Sequence, residues 1–117
     1  MGHTWVEIEI SDLGRNRSVK VKALVDTGAT LTVLPEKIAE QLGIQIEKEE
    51  FVVTGAGQVK VKRGTAWIKV DGNEGPFCVW VSDFIDKVLL GVVVLESFGF
   101  EVDPATGKLI KKPLLLY

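Results

Sequence analysis

Asp26-Thr27-Gly28 is the part of this chain best placed to do chemistry. By default an Asp-x-Gly after a strand is a turn held by the Asp side chain. The flanking residues change that reading. Ala23-Leu24-Val25 precedes the tripeptide and Leu31-Thr32-Val33-Leu34 follows it, so the carboxylate lies between two apolar runs. A charge delivered there needs compensation. One solution is a twin: two such loops meeting across a two-fold axis share a proton, and the pair carries one net charge instead of two. A water held between the carboxylates is then polarised for general acid–base attack on an amide. The tripeptide occurs once in 117 residues, so the second carboxylate must come from a second copy of the chain, and a homodimer is expected.

The elements that must position this loop are mostly strands. Val6, Ile8 and Ile10 alternate with Glu7 and Glu9, the pattern of a half-buried strand. A polar loop over 11–17 leads to a return strand, 18–25, with Val19, Val21, Ala23 and Val25 on one face and Lys20 and Lys22 on the other. Pro35 suits the first position of a short helix that carries Ile38 and Leu42 and stops at Gly43. Two long strands, 44–53 and 59–70, flank Thr54-Gly55-Ala56-Gly57. In the second, the apolar phase switches from odd (Val59, Val61) to even (Ala66, Ile68, Val70), which predicts a bulge or bend near Gly64. A turn over 71–75 precedes a strand reaching Val81 that is apolar on both faces. Leu89-Leu90-Gly91 leads into a second helix, with Val92, Leu95 and Phe98 as its stripe and Gly99 as its stop. A hairpin, 100–110, turns at Pro104-Ala105-Thr106-Gly107. The expectation is a single mainly β domain over 1–117 with one or two short helices.

In that frame the motifs resemble the retropepsin-like aspartic peptidase family. Ala23-Leu24-Val25-Asp26-Thr27-Gly28-Ala29-Thr30 is similar to its active-site motif, Leu89-Leu90-Gly91 to its second signature, and Thr54-Gly55-Ala56-Gly57-Gln58 to its glycine-bearing flap. The three occur in the family's order. The resemblance implies a small closed β-barrel-like acid-protease fold with a flap hairpin, and an endopeptidase that hydrolyses peptide or protein substrates as a homodimer. It makes Asp26 the catalytic acid/base and gives Thr27 cross-subunit hydrogen bonds that orient the loop. Gly28 would admit substrate backbone, Ala29 would line the cleft, and Gly91 would pack under the loop while Leu89 and Leu90 fill the core. Gly55, Ala56 and Gly57 would form the flap tip, with the glycines free to take positive φ. Viral members typically carry an acidic residue two places after the motif's Gly and an Arg after the later Gly. Here those positions are Thr30 and Val92, and the ending 99–107 resembles the non-viral, cellular members.

The remaining inventory excludes other chemistries. His3 is the only histidine and Cys78 the only cysteine, so Ser–His and Cys–His catalysis, a zinc cluster and an internal disulfide have no residues to use. No metal or cofactor is implied. Cys78 lies in the apolar run 76–81, which predicts a buried, inert thiol. Fourteen basic and sixteen acidic residues give a net charge of −2, too balanced to indicate a nucleic-acid partner. No apolar run is long enough to insert in a membrane and the start is polar, so a soluble, cytoplasmic protein is expected. Trp5, Trp67 and Trp80 read as core or interface residues, and Lys60, Lys62 and Arg63 as a solvated strand face. Gly55-Ala56-Gly57 is not a phosphate loop, because no helix follows and no lysine stands at the required spacing. The competing function is a non-catalytic dimerisation or peptide-binding module that takes extended peptides by strand addition. A monomeric barrel scaffold is the third.

Overall fold

The computed structural model describes residues 3–113 and 116. Its strands are β1 (Trp5–Ser11), β2 (Ser18–Val25), β3 (Thr32–Pro35), β4 (Ile46–Thr54), β5 (Gly57–Val70), β6 (Asn73–Ser82), β7 (Val88–Leu90), β8 (Phe100–Val102) and β9 (Leu109–Lys111). Two short helices interrupt them, α1 (Glu36–Leu42) and α2 (Val92–Phe98). The alternation read in the first two strands is realised as a hairpin in which Trp5 faces Leu24 and Ser11 faces Ser18. Ile8 and Ile10 point into the core while Glu7 stays in solvent.

The large sheet runs β1-β2-β7-β3-β6-β5-β4, and β1 pairs again with β5 at Glu9–Ser11, so six strands close into a barrel. Closure satisfies the ladder groups that an open sheet leaves at its edges. Strand β4 lies outside the ring, attached only to β5. The 14-residue β5 therefore has two roles. Its first half forms a hairpin with β4 and its second half is a barrel stave between β6 and β1. This explains the switch in apolar phase, because opposite faces of one strand are covered in its two halves. The bulge itself is on the partner: Ile46 faces Gly64 and Lys48 faces Arg63, leaving Glu47 as the extra residue on β4. A Cβ on Gly64 would lie 2.7 Å from the Gln45 carbonyl oxygen, so glycine permits this close approach.

The core fills the barrel with Ile8, Ile10, Leu34, Ile68, Val79 and Leu90. Helix α1 adds Ala39 and Leu42, and α2 adds Val94 and Leu95. Both helices stop at left-handed glycines, Gly43 (φ 69°) and Gly99 (φ 74°), as expected.

Several expectations are corrected. Pro35 is extended (φ −60°, ψ 148°) and ends β3, so α1 starts one residue later. The buried stripe of α2 centres on Val94 and Leu95, with Val92 half-buried. The turn after β5 is only Asp71-Gly72, both at positive φ, the geometry of a two-residue hairpin turn that matches strand twist. Cys78 is exposed: Val79 and Val81 take the inward positions of β6, which turns Cys78 and Trp80 to the other face. None of the three tryptophans is fully buried. Trp5 is 50% exposed, and Arg15 lies over the Trp67 ring at 4.4 Å. Lys60, Lys62 and Arg63 each stand beside a glutamate (Glu49, Glu36 and Glu50) but do not share one strand face: Lys60 and Lys62 lie on one side of β5 and Arg63 on the other. Among the described residues, no helix is long and apolar enough to cross a membrane.

Candidate active site

The Asp26 loop is held by the ends of two parallel strands. β2 and β7 run side by side with Val25 opposite Leu90, and the Asp26 N–H continues their ladder by donating to the Leu90 carbonyl at 3.0 Å. The chain then turns, with the Ala29 N–H donating to the Asp26 carbonyl at 3.1 Å. The default Asp-x-Gly bond is present: the Gly28 N–H donates to Asp26 Oδ1 at 2.9 Å. A Cβ on Gly28 would stand 3.2 Å from the same oxygen, so a side chain there would push the carboxylate aside by a few tenths of an ångström.

Gly91 fixes the loop from beneath. A Cβ on Gly91 would meet the Leu31 carbonyl carbon at 2.4 Å and the Thr32 nitrogen at 2.7 Å, so only glycine lets the two backbones touch. Its N–H donates to the Thr32 hydroxyl at 3.0 Å, and Thr32 is fully buried. The first turn of α2 is bonded to the same loop, Val92 N–H to the Ala29 carbonyl (2.8 Å) and Val93 N–H to the Thr30 carbonyl (3.1 Å). Thr32 was not singled out from the sequence. Its signal was a hydroxyl inside an otherwise apolar run, which a buried strand accepts only when the hydroxyl is bonded.

The β4–β5 hairpin stands across from the loop. At its tip the Thr54 hydroxyl accepts from the Ala56 N–H (3.1 Å) and donates to the Gly57 carbonyl (2.8 Å). Gly57 has φ 108°; Gly55 does not have positive φ, which corrects that expectation. Between hairpin and loop lies a cavity of about 780 Å³. Asp26, Gly28, Ala29, Gly55 and Ala56 line it, whereas Thr27, Gly57 and Gly91 do not. Thr27 is exposed on the loop. The walls that sequence reasoning missed are apolar: Val33, Val52, Val61, Trp80, Phe84 and Ile85. Leu89, expected in the core, also faces the cavity, while Leu90 is fully buried. Among the described lining residues Asp26 is the only ionisable one. A second hollow, of about 630 Å³, lies between β1 and the β8–β9 hairpin and is edged by Lys20, Lys69 and Asp71, away from Asp26.

Charge flanks the cavity without entering it. Lys62 Nζ bonds Glu36 Oε1 at 2.7 Å, tying β5 to α1, and that bond holds the Lys62 ammonium above the ordinary lysine range. Glu50 is held below the ordinary carboxylate range, first by the Trp80 indole N–H and then by Arg63.

A closed six-stranded barrel with an aspartate loop facing a hairpin across an apolar cleft is the acid-protease fold. Residues 14–97 match the family described as "gag-polyprotein putative aspartyl protease". Solved structures agree. The EIAV protease, complexed with the inhibitor HBY-793, superposes with a TM-score of 0.70 at 20% identity, covering 97% of this chain and 94% of that one. A retropepsin-like aspartic protease from Rickettsia conorii gives 0.63 at 30% identity, over 87% of this chain and 77% of that one. The retroviral protease-like domain of Ddi1 from Leishmania major gives 0.59 at 21% identity, over 95% and 90%. No curated protein sequence matches the chain. The chain belongs to the retropepsin-like aspartic protease family, which includes non-viral members.

Proposed function

We propose that this chain is an aspartic endopeptidase that works as a homodimer, with one Asp26 from each subunit. The observation that carries the reading is the cavity itself: an apolar cleft about 780 Å³ in size with a single ionisable group, Asp26, on its wall. One carboxylate cannot be base and acid at once, so the chemistry requires a second, and the two-fold copy of the same loop supplies it. Thr27 is exposed on the loop, which supports its role as the hydroxyl that bonds to the partner's loop.

In the pair, one proton is shared, which relieves the repulsion of adjacent carboxylates. The ionised Asp26 takes a proton from a water held between them, and the oxygen attacks the peptide carbonyl carbon. The protonated partner gives its proton to the carbonyl oxygen, forming a tetrahedral diol. The first Asp26 then gives its proton to the amide nitrogen while the now ionised partner takes one from a diol hydroxyl; the C–N bond breaks, an amine and an acid leave, and the singly protonated pair is restored. The β4–β5 hairpin acts as the flap: it covers bound peptide, excludes water and lifts for release.

The test is ligand binding. A peptide carrying a hydroxyl in place of the scissile carbonyl mimics the diol and should bind at least about a hundredfold more tightly than the plain peptide. Asp26→Asn should abolish that difference. Equal affinity for the two ligands in the wild-type chain would point instead to a peptide-binding module without turnover.

A further inference from the structure

Trp80 is the largest side chain on the cavity wall, and what holds it lies outside the cavity. Its strand, β6, sets Val79 and Val81 inward, so the indole projects from the opposite face beneath the β4–β5 hairpin. On that face Trp80 stands opposite Arg63 of β5, and Arg63 stands opposite Lys48 of β4. Glu50 is two residues along β4 from Lys48, so the pleat returns it to the same face. Three neighbouring strands thereby converge on one carboxylate. Glu50 Oε2 accepts from Trp80 Nε1 at 2.6 Å and from Arg63 Nε at 2.8 Å, while Lys48 Nζ lies 3.6 Å from Oε1. Glu50 does not itself line the cavity.

A tryptophan ring turns broadly about its second side-chain torsion, so packing on one face does not fix it. The indole N–H is the one polar handle by which the ring can be anchored. Here the anchor is an ionised acceptor, itself oriented by an arginine, and bonds of that kind are about twice as strong as neutral ones. We propose that Glu50 is a positioning residue for specificity: by holding the Trp80 ring as a fixed wall, it sets the largest apolar side chain that the cleft admits. The statement about selectivity rests on the endopeptidase reading. The statement about the ring does not.

The experiment pairs a readout of the ring with a readout of the substrate. Indole N–H exchange with solvent is followed by NMR, Trp80 being assigned by its loss in Trp80→Phe. Trp67, bonded to Glu74 at 2.8 Å, provides an internal control. In Glu50→Ala the Trp80 indole should exchange about tenfold faster or more, with Trp67 unchanged. Glu50→Gln keeps an acceptor oxygen and should stay near wild type. The second readout is kcat/KM for peptides differing only in one apolar side chain beside the cut, from valine to tryptophan. Glu50→Ala should shrink the valine-over-tryptophan preference about tenfold, through KM, with kcat little changed. Trp80→Phe should shrink it similarly, and adding Glu50→Ala to Trp80→Phe should do nothing more, because the acceptor acts only through the ring. Unchanged Trp80 exchange in Glu50→Ala would overturn the proposal. So would an equal loss for every peptide, additive effects in the double variant, or Glu50→Gln behaving like Glu50→Ala. If the wild type cuts no peptide, the endopeptidase reading fails on its own. Peptide affinity then replaces kcat/KM for the same series, and the exchange result still decides whether Glu50 holds the ring.

Discussion

Replacing Gly91 by alanine perturbs the seat of Asp26 without touching the cavity. The added methyl would sit 2.4 Å from the Leu31 carbonyl carbon, 2.6 Å from its oxygen and 2.7 Å from the Thr32 nitrogen. All three are backbone atoms, so no side chain can swing away. The φ of −87° is open to alanine, and the penalty is therefore one of space alone. Overpacking of this kind costs about 1–3 kcal/mol. Moving the backbones apart also stretches the 3.0 Å bond from Gly91 N–H to the buried Thr32 hydroxyl, and an orphaned buried group adds about 1–3 kcal/mol. The sum, about 2–6 kcal/mol, is a large part of the roughly 5–15 kcal/mol that separates a folded domain from its unfolded chain. At about 4 °C per kcal/mol for a chain of this length, Tm should fall by roughly 8–24 °C. Thermal melts by circular dichroism measure this, at equal protein concentration because association raises Tm. Gly55→Ala is the control: a Cβ there meets nothing within 4 Å, and its Tm should be unchanged. A Gly91→Ala protein melting within about 2 °C of wild type would refute the close-packed seat, since even one overpacked methyl exceeds that.

Thr32→Val keeps the shape but removes the acceptor for Gly91 N–H, and urea unfolding should show a loss of about 1–3 kcal/mol. Gly57→Val forces a β-branched residue to φ 108° at the hairpin tip, while Gly55→Val does not; only the former should slow turnover strongly, as read by peptide cleavage at fixed dimer fraction. The Glu50 carboxyl is depressed by Trp80 and Arg63, so its stabilising effect is present above the unfolded carboxylate range and is lost as pH falls through the folded value. Across that acid window the Tm of the wild type should drop more steeply than that of Glu50→Gln, with Arg63 and Lys48 the facing charges in both; parallel curves would contradict the linkage.

Much of this architecture was legible because local rules and global fold agree. Period-two alternation located β1 and β2, glycine caps located both helix ends, and the position of Asp26 between apolar runs marked the loop. Legibility failed where periodicity vanished. The run 76–81 is apolar on both faces, so the sequence could not reveal that Val79 and Val81 face inward and Cys78 outward. The phase change at Gly64 signalled a bulge or bend but not that the extra residue, Glu47, belonged to the neighbouring strand. The cleft walls were hidden for a different reason. Val33, Trp80 and Phe84 are brought to Asp26 by the pairings β2–β7, β7–β3 and β3–β6, whose partners lie far apart in sequence. Glu50 and Trp80 are 30 residues apart and are joined by register across three strands. Local pattern fixes neither pairing.

The central claim is most directly tested by digesting an unstructured protein with the wild-type chain and with Asp26→Asn, each over a dilution series spanning dimer dissociation, with association state followed by sedimentation. The wild type should cleave, at a rate per subunit that falls as the dimer dissociates. Asp26→Asn should cleave at no concentration, although that variant folds and dimerises. Undiminished cleavage by Asp26→Asn, or full activity in a wild-type monomer, would contradict the claim.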